Sequence, residues 1–231
     1  RRTSVGLPMS SQPLQRLRVI YGVAGALSYT SVLEMGRVWE RLLRRAGVPL
    51  AYSQGFNPHP RLQFAAALAT GYTSDCEVLD IWLAERRESA PLLAALAAEA
   101  LDGLTIHTVE EVPLDSPSPQ ATLQSLSYRM HLRSPRRHDE ITAAIERLLA
   151  SDEVIIERVR KGLAKPFDLR PLVLALGYIG RSGEDHVLTC ELAFHTSGSV
   201  RPEEVLGALD LDASAVHIHR TALRWDAKET K

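Results

Sequence analysis

The stretch from Tyr52 to Arg61, YSQGFNPHPR, is the least ordinary in the chain. Gly55, Pro58 and Pro60 stand around Phe56, Asn57 and His59, with Ser53 and Gln54 just before. Each proline fixes its own φ and restricts the residue before it, so Asn57 and His59 are pushed towards extended backbone. Gly55 permits a turn or a close backbone approach that a side chain would block. The product is a stiff loop projecting Gln54, Asn57, His59 and Arg61, and a segment already rigid loses little freedom on binding. The same residues could also serve as an elaborate turn whose Asn and His cap backbone groups. As a catalyst His59 needs an orienting acid or a nucleophile, and no neighbour in sequence supplies one. It therefore reads as a hydrogen-bonding or phosphate-contacting group rather than a general base.

Basic residues cluster in two further places. Arg37, Arg41, Arg44 and Arg45 fall at i, i+4, i+7 and i+8, which on a helix makes one ridge. The stretch RVRKGLAKPFDLR carries Arg158, Arg160, Lys161, Lys165 and Arg170 around Gly162 and Pro166, with Asp168 among them. A ridge of this kind is either a solvated helix face or a surface that tracks phosphates. Arg158 and Arg160 would share one face of a strand, and an open antiparallel sheet is a common RNA platform. Paired aromatics for base stacking are missing from these strands. Residues 75 to 115, by contrast, hold ten acids against Arg86 and Arg87.

Other arrangements carry less. His217 and His219 share a strand face at a spacing that can bind metal, but no third ligand is evident in sequence. Cys76 and Cys190 could meet across the two halves, although isolated cysteines usually behave as small buried hydrophobes. Asp75 and Glu77 flank Cys76 in an acidic turn. No GxGxxG, Walker-type, GxSxG or HExxH pattern occurs, which lowers the expectation of a nucleotide enzyme, hydrolase or zinc protease.

The elements that must position these residues follow from periodicity. Leu17 to Val23 reads as a strand; Val32, Met35, Trp39, Leu42, Leu43 and Ala46 recur at helical spacing, and Gly47 stops the helix. Gln63 to Leu68 and Val78 to Leu83 read as strands, Pro91 to Leu101 as a helix, and Leu104 to Val109 as a strand. Pro113 to Gln124 alternates Pro with Ser and Asp and reads as a linker or exposed crossing. The order then returns: strand Leu126 to Leu132, a helix through Ile141 and Leu148, strands Val154 to Val159, Leu172 to Tyr178 and Val187 to Phe194, a short helix Pro202 to Leu209, and a strand Val216 to Leu223. The expected fold class is α+β, with two tandem ferredoxin-like β-α-β-β-α-β units and antiparallel sheets. The expected boundaries are a flexible segment 1–15, a first unit 16–113, a linker 114–123, a second unit 124–226 and a tail 227–231. Met9 is a candidate natural start, with vector residues 1–8 before it.

Composition narrows the function classes. The chain has 231 residues, 45% hydrophobic and 24% charged, with a net charge of -1. The near-neutral total excludes a globally basic nucleic-acid protein and leaves only local basic surfaces. Two cysteines are too few for a disulfide scaffold and cannot supply the three thiolates of a redox iron–sulfur cluster. No apolar run reaches the roughly 18 residues of a membrane span, and no signal peptide is visible, so a cytoplasmic location without membrane contact is expected.

The run LRRAGVPLAYSQGFNPHPRLQFAAAL resembles the radical SAM-linked domain family, found fused to radical SAM proteins with a B12-type domain or encoded beside them. Arg44, Arg45, Ala46, Gly47, Pro49, Tyr52, Ser53, Gly55, Phe56, Asn57, Pro58, His59 and Pro60 match its basic RRAG-P-AYS-GFNPHP core, and Gly71 and Glu77 match its downstream turn. Arg160, Lys161, Gly162, Lys165, Asp168, Arg170 and Pro171 resemble a looser second pattern. The chain departs where the family shows Ser-His-Leu-Asp entering the first helix, with Ser31, Val32, Leu33 and Glu34 here, so any role of that histidine is not carried over. The resemblance implies a radical SAM partner that brings S-adenosylmethionine and an iron–sulfur cluster, with no cofactor in this chain.

Three functions are consistent with these residues. The first is a non-catalytic accessory module that binds tRNA or rRNA and presents it to the radical SAM partner. Its contacts would be Arg37, Arg41, Arg44, Arg45, Tyr52, Ser53, Gln54, Phe56, Asn57, His59, Arg61, Arg158, Arg160, Lys161, Lys165 and Arg170. The second is a docking domain that meets the partner through the acidic stretch and never touches RNA. The third is an RNA-processing or RNA-modifying enzyme, with His59 and Asp168 as candidate catalytic residues.

Overall fold

A computed structural model of the chain describes residues 12–160, 162–195, 199–212 and 216–225. Among the described residues the architecture is mixed α+β, with mostly antiparallel strand pairs and four α-helices, divided into two units. The first unit comprises residues up to 70 together with 77–120, and the second comprises 71–76 together with 121 onward.

The first unit contains β1 (Gln15–Val23), α1 (Val32–Arg45), β2 (Leu62–Phe64), β3 (Thr73–Leu83, from Glu77 onward), α2 (Ser89–Glu99) and β4 (Leu104–Val112). Its strands neighbour one another in the order β4-β1-β3-β2. Alternation along β1 and β3 decides what each face carries. Leu17, Val19 and Tyr21 of β1 join Leu79, Ile81 and Leu83 of β3 in a core with Trp39, Leu42 and Leu43 of α1 and Leu92 and Leu96 of α2. Tyr21 meets Trp39 edge-on, with ring centroids 4.8 Å apart. The intervening residues Arg16, Arg18 and Asp80 point to the opposite face. There the Arg16 Nη2 and Arg18 Nε groups lie 2.6 and 2.8 Å from the Asp80 carboxylate, which is 0% exposed. The Arg16 guanidinium also donates to the carbonyls of Ser116 and Pro117, so part of the proline-rich segment after β4 is tied down by a buried cation.

Helix α1 begins with a capping box: Ser31 Oγ accepts from the Glu34 N–H, and the Glu34 carboxylate accepts from the Ser31 N–H at 2.8 Å. It ends in a Schellman motif. The Gly47 N–H donates to the Arg44 carbonyl and the Val48 N–H to the Leu43 carbonyl, and Gly47 takes the positive φ of 66° that this motif requires. Strand β2 is shorter than the Gln63–Leu68 reading, because the following residues Ala65, Ala66 and Ala67 offer neither β-branching nor bulk to a pleated surface.

The second unit contains β5 (Leu123–Leu132), α3 (His138–Ala150), β6 (Ile155–Arg160), β7 (Leu163–Asp168), β8 (Val173–Ser182), β9 (Asp185–Ala193), α4 (Pro202–Ala208) and β10 (Val216–Trp225). The order is β10-β5-β9-β8, all antiparallel, and Thr73 and Ser74 pair in parallel with His219 and Arg220 on the outer side of β10. Strands β6 and β7 form a separate two-stranded hairpin around Gly162. β7 is absent from the periodicity reading, since Lys165, Pro166 and Asp168 mask any alternation. Among the described residues no helix is long and apolar enough to cross a membrane.

Candidate functional site

The YSQGFNPHPR segment is a loop clamped at its base in the first unit. Ala51 N–H donates to the Trp82 carbonyl at 2.7 Å, Arg61 N–H to the Ala51 carbonyl at 2.9 Å, and Trp82 N–H to the Arg61 carbonyl at 3.2 Å. Tyr52 and Pro60 form the next bridge. Above it Ser53 holds His59 twice: its N–H donates to the His59 carbonyl at 2.8 Å, and its hydroxyl oxygen accepts from the His59 N–H at 3.0 Å. Five residues, 54 to 58, are left as the tip. Gly55 lies at φ 147° with open space around it, so the backbone angle, and not a close approach, calls for glycine.

The tip exposes Gln54, Asn57 and Pro58, and His59 is exposed beside it. Phe56 is 102% exposed. A phenyl ring held wholly in water on a stiff loop buries nothing in the fold, and its area is free for a partner. Tyr52 and Ser53 are half-buried in the legs of the loop. Arg61, expected to project, instead lies over the Trp82 ring at 4.9 Å, where Arg16 also lies at 4.8 Å.

Of the α1 ridge, Arg37, Arg41 and Arg44 are exposed. Arg45 is exposed but engaged, pairing with Glu99 at 2.9 Å and donating to the Glu99 carbonyl. The acidic stretch is likewise divided: Glu77 and Asp80 are buried, while Glu99 and Glu111 pair with Arg45 and Arg86.

In the second basic stretch, Arg158 and Arg170 are engaged within the fold. Arg158 forms two bonds of 2.7 and 2.6 Å to Glu204, donates to the Ser199 carbonyl, and lies 3.6 Å over the Phe167 ring. Arg170 donates to the carbonyls of Leu149 and Val173. Both are spent on joining elements of the second unit. Lys165 is exposed, whereas Lys161 and the side chain of Arg160 lie outside the described residues. Asp168 Oδ1 accepts from the Val154 and Arg170 N–H groups at 2.8 and 3.0 Å, a turn-closing role. Among the described residues no acid or nucleophile is hydrogen-bonded to the His59 ring, and its backbone N–H donates to Ser53 Oγ.

His217 and His219 do gather partners, and the one missed in sequence is His131. It sits directly across from His217 in the β5/β10 register, with ring centroids 6.2 Å apart. Thr73 Oγ1 lies 3.2 Å from His217 Nε2 and 2.8 Å from His219 Nδ1, and His219 Nε2 lies 3.0 Å from Asp75. Burial, and then the charges of His131 and His219, push the His217 pKa down from 6.5. No group of His, Cys, Asp or Glu among the described residues has the arrangement to hold a metal ion. Cys76 and Cys190 form no disulfide, and burial pushes the Cys190 pKa up to about 12.

Comparison with curated proteins gives no match. Among solved structures, the chain is similar to one in a Cbf5–Nop10–Gar1 complex, at 13% identity and a TM-score of 0.48, covering 89% of this chain and 48% of that one. It is also similar to one in the archaeal box H/ACA sRNP Nop10–Cbf5 complex, at 13% identity and a TM-score of 0.44, covering 96% of this chain and 53% of that one. The chain thus spans about half the length of these neighbours. Residues 16–202, which include the clamped loop, the α1 ridge and the β6–β7 hairpin, match one family throughout, and the chain belongs to it: the uncharacterized proteins conserved in bacteria, DUF2344.

Proposed function

We propose that this chain is a non-catalytic module that binds RNA through its first unit and presents it to a radical SAM protein, which carries the S-adenosylmethionine and the cluster. The observation that carries the RNA reading is the wholly exposed Phe56 on a clamped loop. Aromatic faces hold unpaired bases by stacking, whatever the base, and the exposed guanidinium groups of Arg37, Arg41 and Arg44 add contacts to phosphate. Gln54, Asn57 and His59 at and beside the tip supply hydrogen-bonding groups for base edges or ribose. The surface is narrower than the sequence implied, since Arg158, Arg170 and Arg61 are engaged within the fold. The radical SAM partner is supported by the RRAG-P-AYS-GFNPHP resemblance. We also read each unit as ferredoxin-like: both run β-α-β-β-α-β with the strand order 4-1-3-2 once the β6–β7 hairpin is set apart.

The test is binding of the purified chain to bulk tRNA and rRNA across a salt series. Micromolar or tighter binding that weakens steeply with salt is expected, with a log–log slope of about -2 for three phosphate contacts to single-stranded RNA. No binding at low salt would overturn the RNA reading.

A further inference from the structure

The sheet of the second unit buries one face, where Met130 and Leu132 of β5, Leu188 of β9 and Ile218 of β10 lie in the core. Side chains alternate along a strand, so the residues between these share the opposite face. On β5 they are Arg129 and His131, and on β10 His217 and His219. Register sets Arg129 directly across from His219, and His131 directly across from His217. The four therefore form a two-by-two block, with neighbours about 5 Å apart across the strands and about 7 Å apart along them. On its β9 side Val187 and Thr189 lie opposite His131 and Arg129 and bring no charge. The β9 carboxylates are engaged elsewhere: Glu191, one row further on, by Ser125 and Arg224, and Asp185 by Arg133.

This block holds an excess of donors. Arg129 is exposed, and no acid among the described residues pairs with its guanidinium. Neither ring nitrogen of His131 has a hydrogen-bond partner among the described residues, and His217 engages only Nε2, 3.2 Å from Thr73 Oγ1. His219 is held at both nitrogens, Nδ1 by Thr73 and Nε2 by Asp75. Asp75 belongs to β3, which neighbours β10 on the side away from β5, so its carboxylate fixes His219 and leaves Arg129 without a counter-charge. Arg129 brings a permanent charge and five N–H donors, and a histidine that takes up a proton donates from both nitrogens. Burial and the neighbouring His131 and His219 hold the His217 pKa down, and an anion set between the rings would act in the opposite direction.

We propose that this block binds a phosphate monoester dianion, held by the guanidinium of Arg129 and the imidazoles of His131 and His217. The charges match: Arg129 supplies one positive charge, and a proton taken up by His131 or His217 supplies the second. A diester carries a single negative charge, which Arg129 alone satisfies. The planar guanidinium can make two parallel bonds to one phosphate. His219, fixed by Thr73 and Asp75, is a positioning residue. A small phosphate ester and the phosphorylated end of an RNA present the same chemistry. The site belongs wholly to the second unit and does not rest on the RNA reading.

The experiment follows the histidine ring signals of the full chain by 1H–13C NMR, with His131→Gln and His217→Gln assigning the two rings. The probes are methyl phosphate, which is a dianion at pH 7.5, dimethyl phosphate and sulfate. Saturable shifts of both rings are expected with methyl phosphate, with a dissociation constant on the order of millimolar for so small a probe. Dimethyl phosphate should bind at least about tenfold more weakly. Sulfate, a dianion throughout, should bind more tightly as pH falls from 7.5 to 6.0, by up to about tenfold per unit, the limit for one linked proton. Arg129→Gln, at an exposed position outside any ion pair, should fold and lose binding of methyl phosphate and sulfate alike. Competition with the dinucleotides pUpU and UpU distinguishes the sources. Displacement of methyl phosphate by pUpU alone supports an RNA end, and displacement by neither supports a small ester. Displacement by both, equal binding of monoester and diester, a sulfate affinity that does not change with pH, or undiminished binding by a folded Arg129→Gln would each overturn the proposal. Should Arg129→Gln not fold, the selectivity and pH dependence of the unaltered chain decide the matter.

Discussion

Replacing Phe56 by alanine separates stacking from charge at the proposed RNA surface. The ring is 102% exposed, so its removal takes away no packing and should leave the stability of the first unit unchanged. Stacking of one base on an aromatic ring is worth about 1–3 kcal/mol, so Phe56→Ala should weaken binding to single-stranded RNA by about 5- to 150-fold. A phenyl group releases no counterions, and the slope of log affinity against log salt should stay where it was. Arg44→Ala with Arg45→Ala should do the reverse, lowering the slope by about 0.7 to 1.4 while leaving the stacking contribution in place. Of the two, Arg45 should contribute less, because its guanidinium is engaged by Glu99 at 2.9 Å. Fluorescence anisotropy of a labelled single-stranded RNA across a salt series measures affinity and slope together, and thermal unfolding of each variant verifies the fold. Unchanged affinity in Phe56→Ala, with the fold intact, would refute the stacking argument. A salt slope unmoved in the double arginine variant would refute the phosphate argument separately.

Other outcomes follow from the buried groups. Asp80→Ala leaves Arg16 and Arg18 without their counter-charge on a covered sheet face, and should destabilise the first unit by about 3–5 kcal/mol in urea unfolding. A loss below about 1 kcal/mol would mean that the cluster contributes little. The His217 pKa is depressed, so the unfolded chain binds its proton at higher pH than the folded one. The stability it contributes is therefore complete above about 6.5 and is lost as pH falls through the lowered folded value. Urea midpoints at pH 7.5 and 5.5 should differ less in His217→Gln than in the parent protein, and an equal difference would contradict the assignment. Cys190, buried with its pKa raised to about 12, should resist N-ethylmaleimide in the native protein at pH 8 and react after denaturation. Native labelling of Cys190 at the denatured rate would show that it is open to solvent.

Local rules decided the parts of this protein that depend on neighbours in sequence. The apolar stripe from Val32 to Ala46 and the glycine after it specify α1, because helical spacing and the Schellman end both act within one or two turns. The prolines and glycine of YSQGFNPHPR similarly announced a stiff exposed loop, since their constraints lie in their own backbones. What the sequence could not decide was the fate of each charge. Arg37, Arg158 and Arg170 look alike as letters. One faces water, one is gripped by Glu204 across 46 positions, and one donates to the Leu149 carbonyl across 21. Strand register alone brought His131 opposite His217, and alternation on β1 and β3 set Arg16, Arg18 and Asp80 together on one face. A side chain's type limits which partners it can take, but which partner lies within three ångströms is settled only when distant segments pack together.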